Sequence, residues 1–138
     1  MERPTQTARF KTVMVVDDND IDRYVAENVI IKSHFSEKVV SADSAMDALT
    51  YIEEHQENID ELPEVIFLDI NMPEMNGFDF LKQYENLPDA VKKNCIIMML
   101  TTSLDTTDKE LARGNSYVSA FLNKPLNKDK LDRLNKTP

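Results

Sequence analysis

Short apolar runs alternate with longer polar stretches along this chain. Val13-Met14-Val15-Val16, Val65-Ile66-Phe67-Leu68, Ile96-Ile97-Met98-Met99-Leu100 and Ala120-Phe121-Leu122 show no alternation with polar residues. Runs of that length mark strands buried on both faces, the pattern of a parallel sheet covered by helices. They predict strands at about Lys11–Asp17, Glu64–Asp69 and Cys95–Thr101, and another ending at Lys124. A shorter strand falls near Lys38–Ser41. Between the strands, apolar residues return at helical spacing. Behind a cap at Asn19 or Asp20 come Ile21, Tyr24, Val25 and Val29, expected on one buried face. Behind Asp43-Ser44 come Ala45, Ala48, Leu49 and Ile52. Further helices are expected from about Phe78 to Glu85, at Thr106–Arg113 with Gly114-Asn115 as its stop, and briefly near Lys128–Asn135. The Thr106–Arg113 helix has few large apolar residues, so it should be exposed and lightly held. Strand–helix alternation of this kind implies an α/β fold, a five-stranded parallel sheet with helices on both faces.

Composition narrows the class without naming it. At 138 residues the chain suits one domain, expected over 11–138 behind a flexible, polar lead-in at 1–10. No apolar stretch reaches the length of a membrane span, and no signal-peptide core follows the start. The lone Cys95 cannot form an internal disulfide, which makes a reducing cytoplasm the expected compartment. A net charge of −9 argues against non-specific nucleic-acid binding and against anionic membranes. With only two glycines there is no Gly-rich phosphate loop or dinucleotide fingerprint.

The chemistry sits where the runs stop. Asp17-Asp18 closes the first, Asp69 the second, Thr101 the third and Lys124-Pro125 the last. Parallel strands end on the same edge of a sheet, and open α/β sheets bind ligands there. Three carboxylates, a hydroxyl and an ammonium should therefore meet in one crevice, where a divalent cation could offset the negative charge. Each residue taken alone has a plain structural role: a helix cap for the aspartate pair, a turn former for Asp69, a cap for Thr101, a surface charge for Lys124. Convergence on one edge argues against four separate explanations. His34 and His55 fall on the expected helices with no partner pattern, Tyr51 and Tyr84 read as helix packing, and Met72, Met75, Met98 and Met99 as loop and core packing.

The ordered set Asp17-Asp18, Asp69, Thr101 and Lys124-Pro125, with the loop Asp69-Ile70-Asn71-Met72-Pro73-Glu74-Met75-Asn76-Gly77, resembles the receiver domain of two-component response regulators. The resemblance covers roughly Thr12 to Lys136 and implies a flavodoxin-like (βα)5 fold with strand order 2-1-3-4-5. It makes Asp69 the phosphoacceptor, with Lys124 and the Thr101 hydroxyl on the phosphoryl oxygens. It assigns Mg²⁺, with Mn²⁺ as a substitute, to Asp18, Asp69, the backbone carbonyl of Asn71, and Asp17, often through water. Thr101 and Phe121 would form the conformational switch, although the family often has Tyr or His where Phe121 stands. The implied donor is a sensor histidine kinase or a histidine phosphotransfer protein. The implied output is a downstream protein target, reached through the helix 106–113, the last strand and the last helix. Neither nucleic acid nor membrane is implied, and the expected state is a monomer or a weak, phosphorylation-dependent dimer. The chain would be a stand-alone receiver without an output domain, catalysing only its own phosphoryl transfer and dephosphorylation. Two alternatives compete: a degenerate, phosphorylation-independent receiver that binds proteins, and a small Mg²⁺-dependent phosphohydrolase of the haloacid dehalogenase type. The latter usually has an aspartate two residues after its nucleophile, where this chain has Asn71.

Overall fold

The computed structural model describes residues 8–102 and 105–135. Five strands, β1 (Phe10–Val16), β2 (Ser36–Ala42), β3 (Val65–Asp69), β4 (Ile96–Thr101) and β5 (Val118–Asn123), form one sheet in the order β2-β1-β3-β4-β5. Every pairing is parallel. The helices are α1 (Asp20–Lys32), α2 (Ala45–Glu54), α3 (Gly77–Glu85), α4 (Asp89–Lys92), α5 (Thr106–Arg113) and α6 (Lys128–Asn135). This is the expected flavodoxin-like arrangement. Among the described residues no helix is long and apolar enough to cross a membrane.

The central strands are apolar throughout because both of their faces are covered. Val13, Val15, Val65 and Phe67 pack with Ala26 and Ile30 of α1 and Leu131 of α6. Met14, Val16, Ile66 and Leu68 face Ala48 and Ile52 of α2, Phe80 and Tyr84 of α3 and Ala112 of α5. Each fully buried Ile or Leu among them stabilises the fold by about 1.5–3 kcal/mol. The edge strands β2 and β5 are less buried, which is why their apolar runs are the shortest.

Several details depart from the pattern read along the chain. Phe10 opens β1 and packs tilted against Phe35 with ring centroids 5.0 Å apart, so the lead-in ends before it; residues 1–7 lie outside the described residues. β2 begins at Ser36, two residues before its expected start. A helix of a single turn, α4, follows Pro88 and buries Val91, where no helix was expected. His34 is not helical: it follows the α1 cap with φ 56°, and His55 caps α2.

The largest correction concerns α1. Ile21 and Tyr24 are 73% and 64% exposed, while Ala26 and Ile30 are buried. The helix is rotated relative to its apolar spacing, and polar contacts explain the rotation. Arg23 Nη1 donates to the backbone carbonyl of Asp17 at 2.8 Å, and Asp22 meets Lys124. Ala26, with its small side chain, then lies against the sheet. The α2 face Ala45, Ala48, Leu49 and Ile52 is buried as expected. α5 buries only Ala112 and leaves Leu111 54% exposed, as its composition implied.

Candidate functional site

Asp17 leaves β1 with its N–H bonded to the Ala42 carbonyl at 3.1 Å. Its Oδ1 accepts from the Asn19 N–H at 2.9 Å, which turns the chain into α1 and fixes the carboxylate. Asp69 ends β3, paired in register with Leu100 of β4. Asp17, Asp18 and Asp69 each bring a carboxylate oxygen to a point where all three lie within 4.8 Å of one another. Asp17 and Asp69 are buried and Asp18 is exposed, so the cluster opens to solvent on one side.

Lys124 enters from the far strand. Its backbone N–H continues the ladder to the Thr101 carbonyl at 2.8 Å, and its peptide to Pro125 is cis. Buried Leu126 anchors the segment that follows. Lys130 of α6 braces it by donating to the Asn123 and Pro125 carbonyls at 2.6 and 2.8 Å. The Lys124 ammonium then lies 2.7 Å from Asp17, 2.9 Å from Asp22 and 3.5 Å from Asp69. Thr101 is fully buried at the end of β4, on the sheet face shared by Met99 and Phe121. Phe121 is half-buried and borders an open crevice of about 400 Å³ between α5 and β5.

These placements set the electrostatics. Burial and the neighbouring Asp17 charge push the Asp69 carboxyl up to about 6, against the pull of Lys124 and a hydrogen bond from the Asn71 backbone. Burial disfavours the Lys124 charge. Hydrogen bonds to Asp17 and Asp22, with the charges of Asp69 and Asp17, outweigh burial and hold the ammonium above its ordinary range. The crevice thus carries more carboxylate than one lysine neutralises. Its donors are all oxygens, which suits a hard divalent cation such as Mg²⁺ or Mn²⁺.

The loop after Asp69 is shaped by Gly77. Its N–H donates to the Ile70 carbonyl at 2.8 Å, and a Cβ there would stand 2.7 Å from the Asp69 carbonyl oxygen and 2.9 Å from Met99 Cε. Only glycine lets α3 start this close to the acceptor strand. Asn76 and Asp79 then form a reciprocal cap, each side chain accepting from the other's backbone N–H. Glu74, in the same loop, holds a left-handed φ of 69°.

The structure brings Asp17, Asp18, Asp69 and Lys124 together, and Thr101 ends the strand beside them. Asn71 is exposed two residues past Asp69, and its backbone N–H donates to that carboxylate. Two site residues were missed, Asp22 and Arg23. Their signal was a polar pair one helical turn after Asp17-Asp18. The apolar spacing of Ile21 and Tyr24 pointed the helix the other way.

A doubly wound sheet with acids and a lysine at its carboxyl edge defines a class of signalling domain, and comparison with known proteins places the chain within it. Residues 13–135 match the family described as Response regulator receiver domain, and the chain belongs to that family. It is 32% identical over 126 residues to the histidine kinase CKI1 of Arabidopsis thaliana, covering 86% of this chain and 11% of that kinase. It spans about half, 53% and 52%, of two rice response regulators named ORR1. A two-component response regulator from Cytophaga hutchinsonii superposes with a TM-score of 0.84 at 27% identity, covering 93% of this chain and 95% of that one. The Mn²⁺-bound form of response regulator Rcp1, at 22% identity and TM-score 0.69 over 90% of this chain and 88% of that one, shares the fold. Receiver domains are signalling phosphoacceptors of two-component systems, served by histidine kinases, and are not in general enzymes. The phosphohydrolase alternative is set aside on that ground.

Proposed function

We propose that Asp69 is the phosphoacceptor of this domain, taking a phosphoryl group from a phosphohistidine on a sensor kinase or phosphotransfer protein. The observation that carries this reading is the Lys124 ammonium, 2.7 Å from Asp17 and 3.5 Å from Asp69, beside the three-carboxylate cluster. A carboxylate oxygen of Asp69 attacks phosphorus, forming an O–P bond as the N–P bond breaks. The donor imidazole keeps the electron pair and leaves neutral, its other ring nitrogen already protonated. Lys124 balances charge on the phosphoryl oxygens and the Thr101 hydroxyl donates to them. A divalent cation held by Asp17, Asp18, Asp69 and the Asn71 carbonyl would neutralise the crevice and the transferring oxygens.

The output proposed here runs through Thr101 and Phe121. A Thr101 hydroxyl drawn toward the phosphoryl group leaves space on the face it shares with Phe121. Inward rotation of that ring favours one of two packings of α5 on β5. The weak hold of α5, with one buried residue, supports this choice of moving element. A downstream protein would read the α5, β5 and α6 surface. The setting proposed is cytoplasmic.

Acetyl phosphate with Mg²⁺ tests the assignment. The parent protein should form a transient, hydroxylamine-sensitive acyl phosphate, and Asp69→Asn should form none while keeping its fold. Full labelling of the variant moves the acceptor elsewhere, and no labelling of the parent makes the domain a phosphorylation-independent binding module.

A further inference from the structure

Lys124 has three hydrogen-bond donors and unequal claims on them. Asp17 and Asp22 take it at 2.7 and 2.9 Å, whereas Asp69 stands 3.5 Å away, beyond a good N–H···O bond. Asp22 comes from outside the crevice, in the first turn of α1, where its own N–H donates to the capping Asn19 side chain at 2.9 Å. Among the three carboxylates on the lysine, it alone is absent from the Asp17, Asp18 and Asp69 cluster. The lysine is therefore drawn toward α1 and away from the acceptor.

We infer that Asp22 is a positioning residue that competes with the phosphoryl oxygens for the Lys124 ammonium. The inference rests on Asp69 as the phosphoacceptor. In the resting domain the Asp22 bond holds the ammonium on its α1 side. A phosphoryl group on Asp69 brings oxygens that need one of its N–H groups. Asp17 sits 3% exposed and is fixed by the Asn19 N–H and by its place in the cluster. Asp22 has a side chain 39% exposed to water that can solvate it on release, so its bond is the one exchanged. Asp22 thereby sets how readily the domain accepts and keeps its phosphoryl group.

The test is the affinity of beryllofluoride, a phosphoryl mimic, in saturating Mg²⁺, read from the ¹⁹F resonance of the bound ion. Asp22→Asn keeps the shape and removes the competing charge. It should bind about three- to tenfold tighter than the parent, the range for a charge-assisted bond discounted for exposure. Its melting temperature should stay near the parent's. Asp20→Asn is the control for charge alone. Asp20 lies on the same turn but pairs with Arg23 and makes no contact with Lys124. It should change affinity by less than about twofold. In a Lys124→Ala background the Asp22→Asn gain should vanish. Affinity of Asp22→Asn equal to or below the parent's overturns the inference. So does an equal gain from Asp20→Asn, or a gain that persists without Lys124. A parent protein that binds no beryllofluoride overturns both the inference and the phosphoacceptor reading. Parent binding that Asp69→Asn abolishes, with no effect of Asp22→Asn, overturns the inference alone.

Discussion

Replacing Asp69 by Asn should stabilise the metal-free domain, by an amount that depends on pH. Burial and the facing Asp17 charge push the native carboxyl up to about 6, above the ordinary carboxylate range. At about 1.36 kcal/mol per decade, that displacement means about 3 kcal/mol of unfavourable ionisation in the fold. Below about pH 4 the carboxyl is protonated in both folded and unfolded chains, and its charge costs the fold nothing. As pH rises toward 6, the unfolded chain has already released its proton while the native state still holds one. Stability therefore falls through that window and levels off above about pH 7. Asparagine has the same shape and no charge to bury. Carboxyls remote from the site titrate alike in both proteins, so the difference reports the Asp69 ionisation together with its coupling to Asp17. Urea unfolding followed by circular dichroism, in EDTA from pH 4 to 8, measures it. The two proteins should be nearly equal at pH 4, with the variant more stable by about 3 kcal/mol at pH 7.5. Parallel curves, within about 0.5 kcal/mol across the range, would refute the claim that burial and Asp17 strain the acceptor.

The cluster should also answer to metal. Mg²⁺ at tenfold above its Kd should stabilise the parent by about 1.4 kcal/mol, and Asp18→Ala should remove that increment; a parent melting curve indifferent to Mg²⁺ counts against a cation site. Gly77→Ala puts a Cβ 2.7 Å from the Asp69 carbonyl oxygen. It should cost about 1–3 kcal/mol in thermal unfolding and slow acetyl phosphate labelling, and an unperturbed variant would mean the loop is not confined there. Thr101→Ala should still be labelled, more slowly, but should lose the beryllofluoride-induced amide shifts expected from about Thr102 to Lys124. The switch through Phe121 fails if those shifts survive the substitution, or if in the parent they stop at residues touching Asp69.

Strand placement and the meeting of Asp17, Asp18, Asp69 and Lys124 could be read along the chain for one physical reason. A parallel strand buried on both faces must be a continuous apolar run, and parallel direction sends every run's last residues to one edge. The α2 face was legible for a related reason, since nothing polar near Ala45, Ala48, Leu49 or Ile52 competes with the sheet for the helix. On α1 the same spacing misled. Ile21 and Tyr24 keep the apolar period, yet the site claims Asp22 and Arg23, and the helix turns to deliver them. The Asp22 bond to Lys124 joins residues 102 positions apart, so no local pattern contains it. Gly77 closed the loop read after Asp69, but its closeness to the Asp69 carbonyl and to Met99 exists only once β3, β4 and α3 have packed. The sequence by itself determined which groups reach the carboxyl edge of the sheet, because period and direction are properties of the strands. Tertiary structure alone decided which carboxylates share the lysine and how far the acceptor stands from it. Those distances depend on the rotation of α1 and on the path of the loop after β5, and both are set by contacts between segments far apart in the chain.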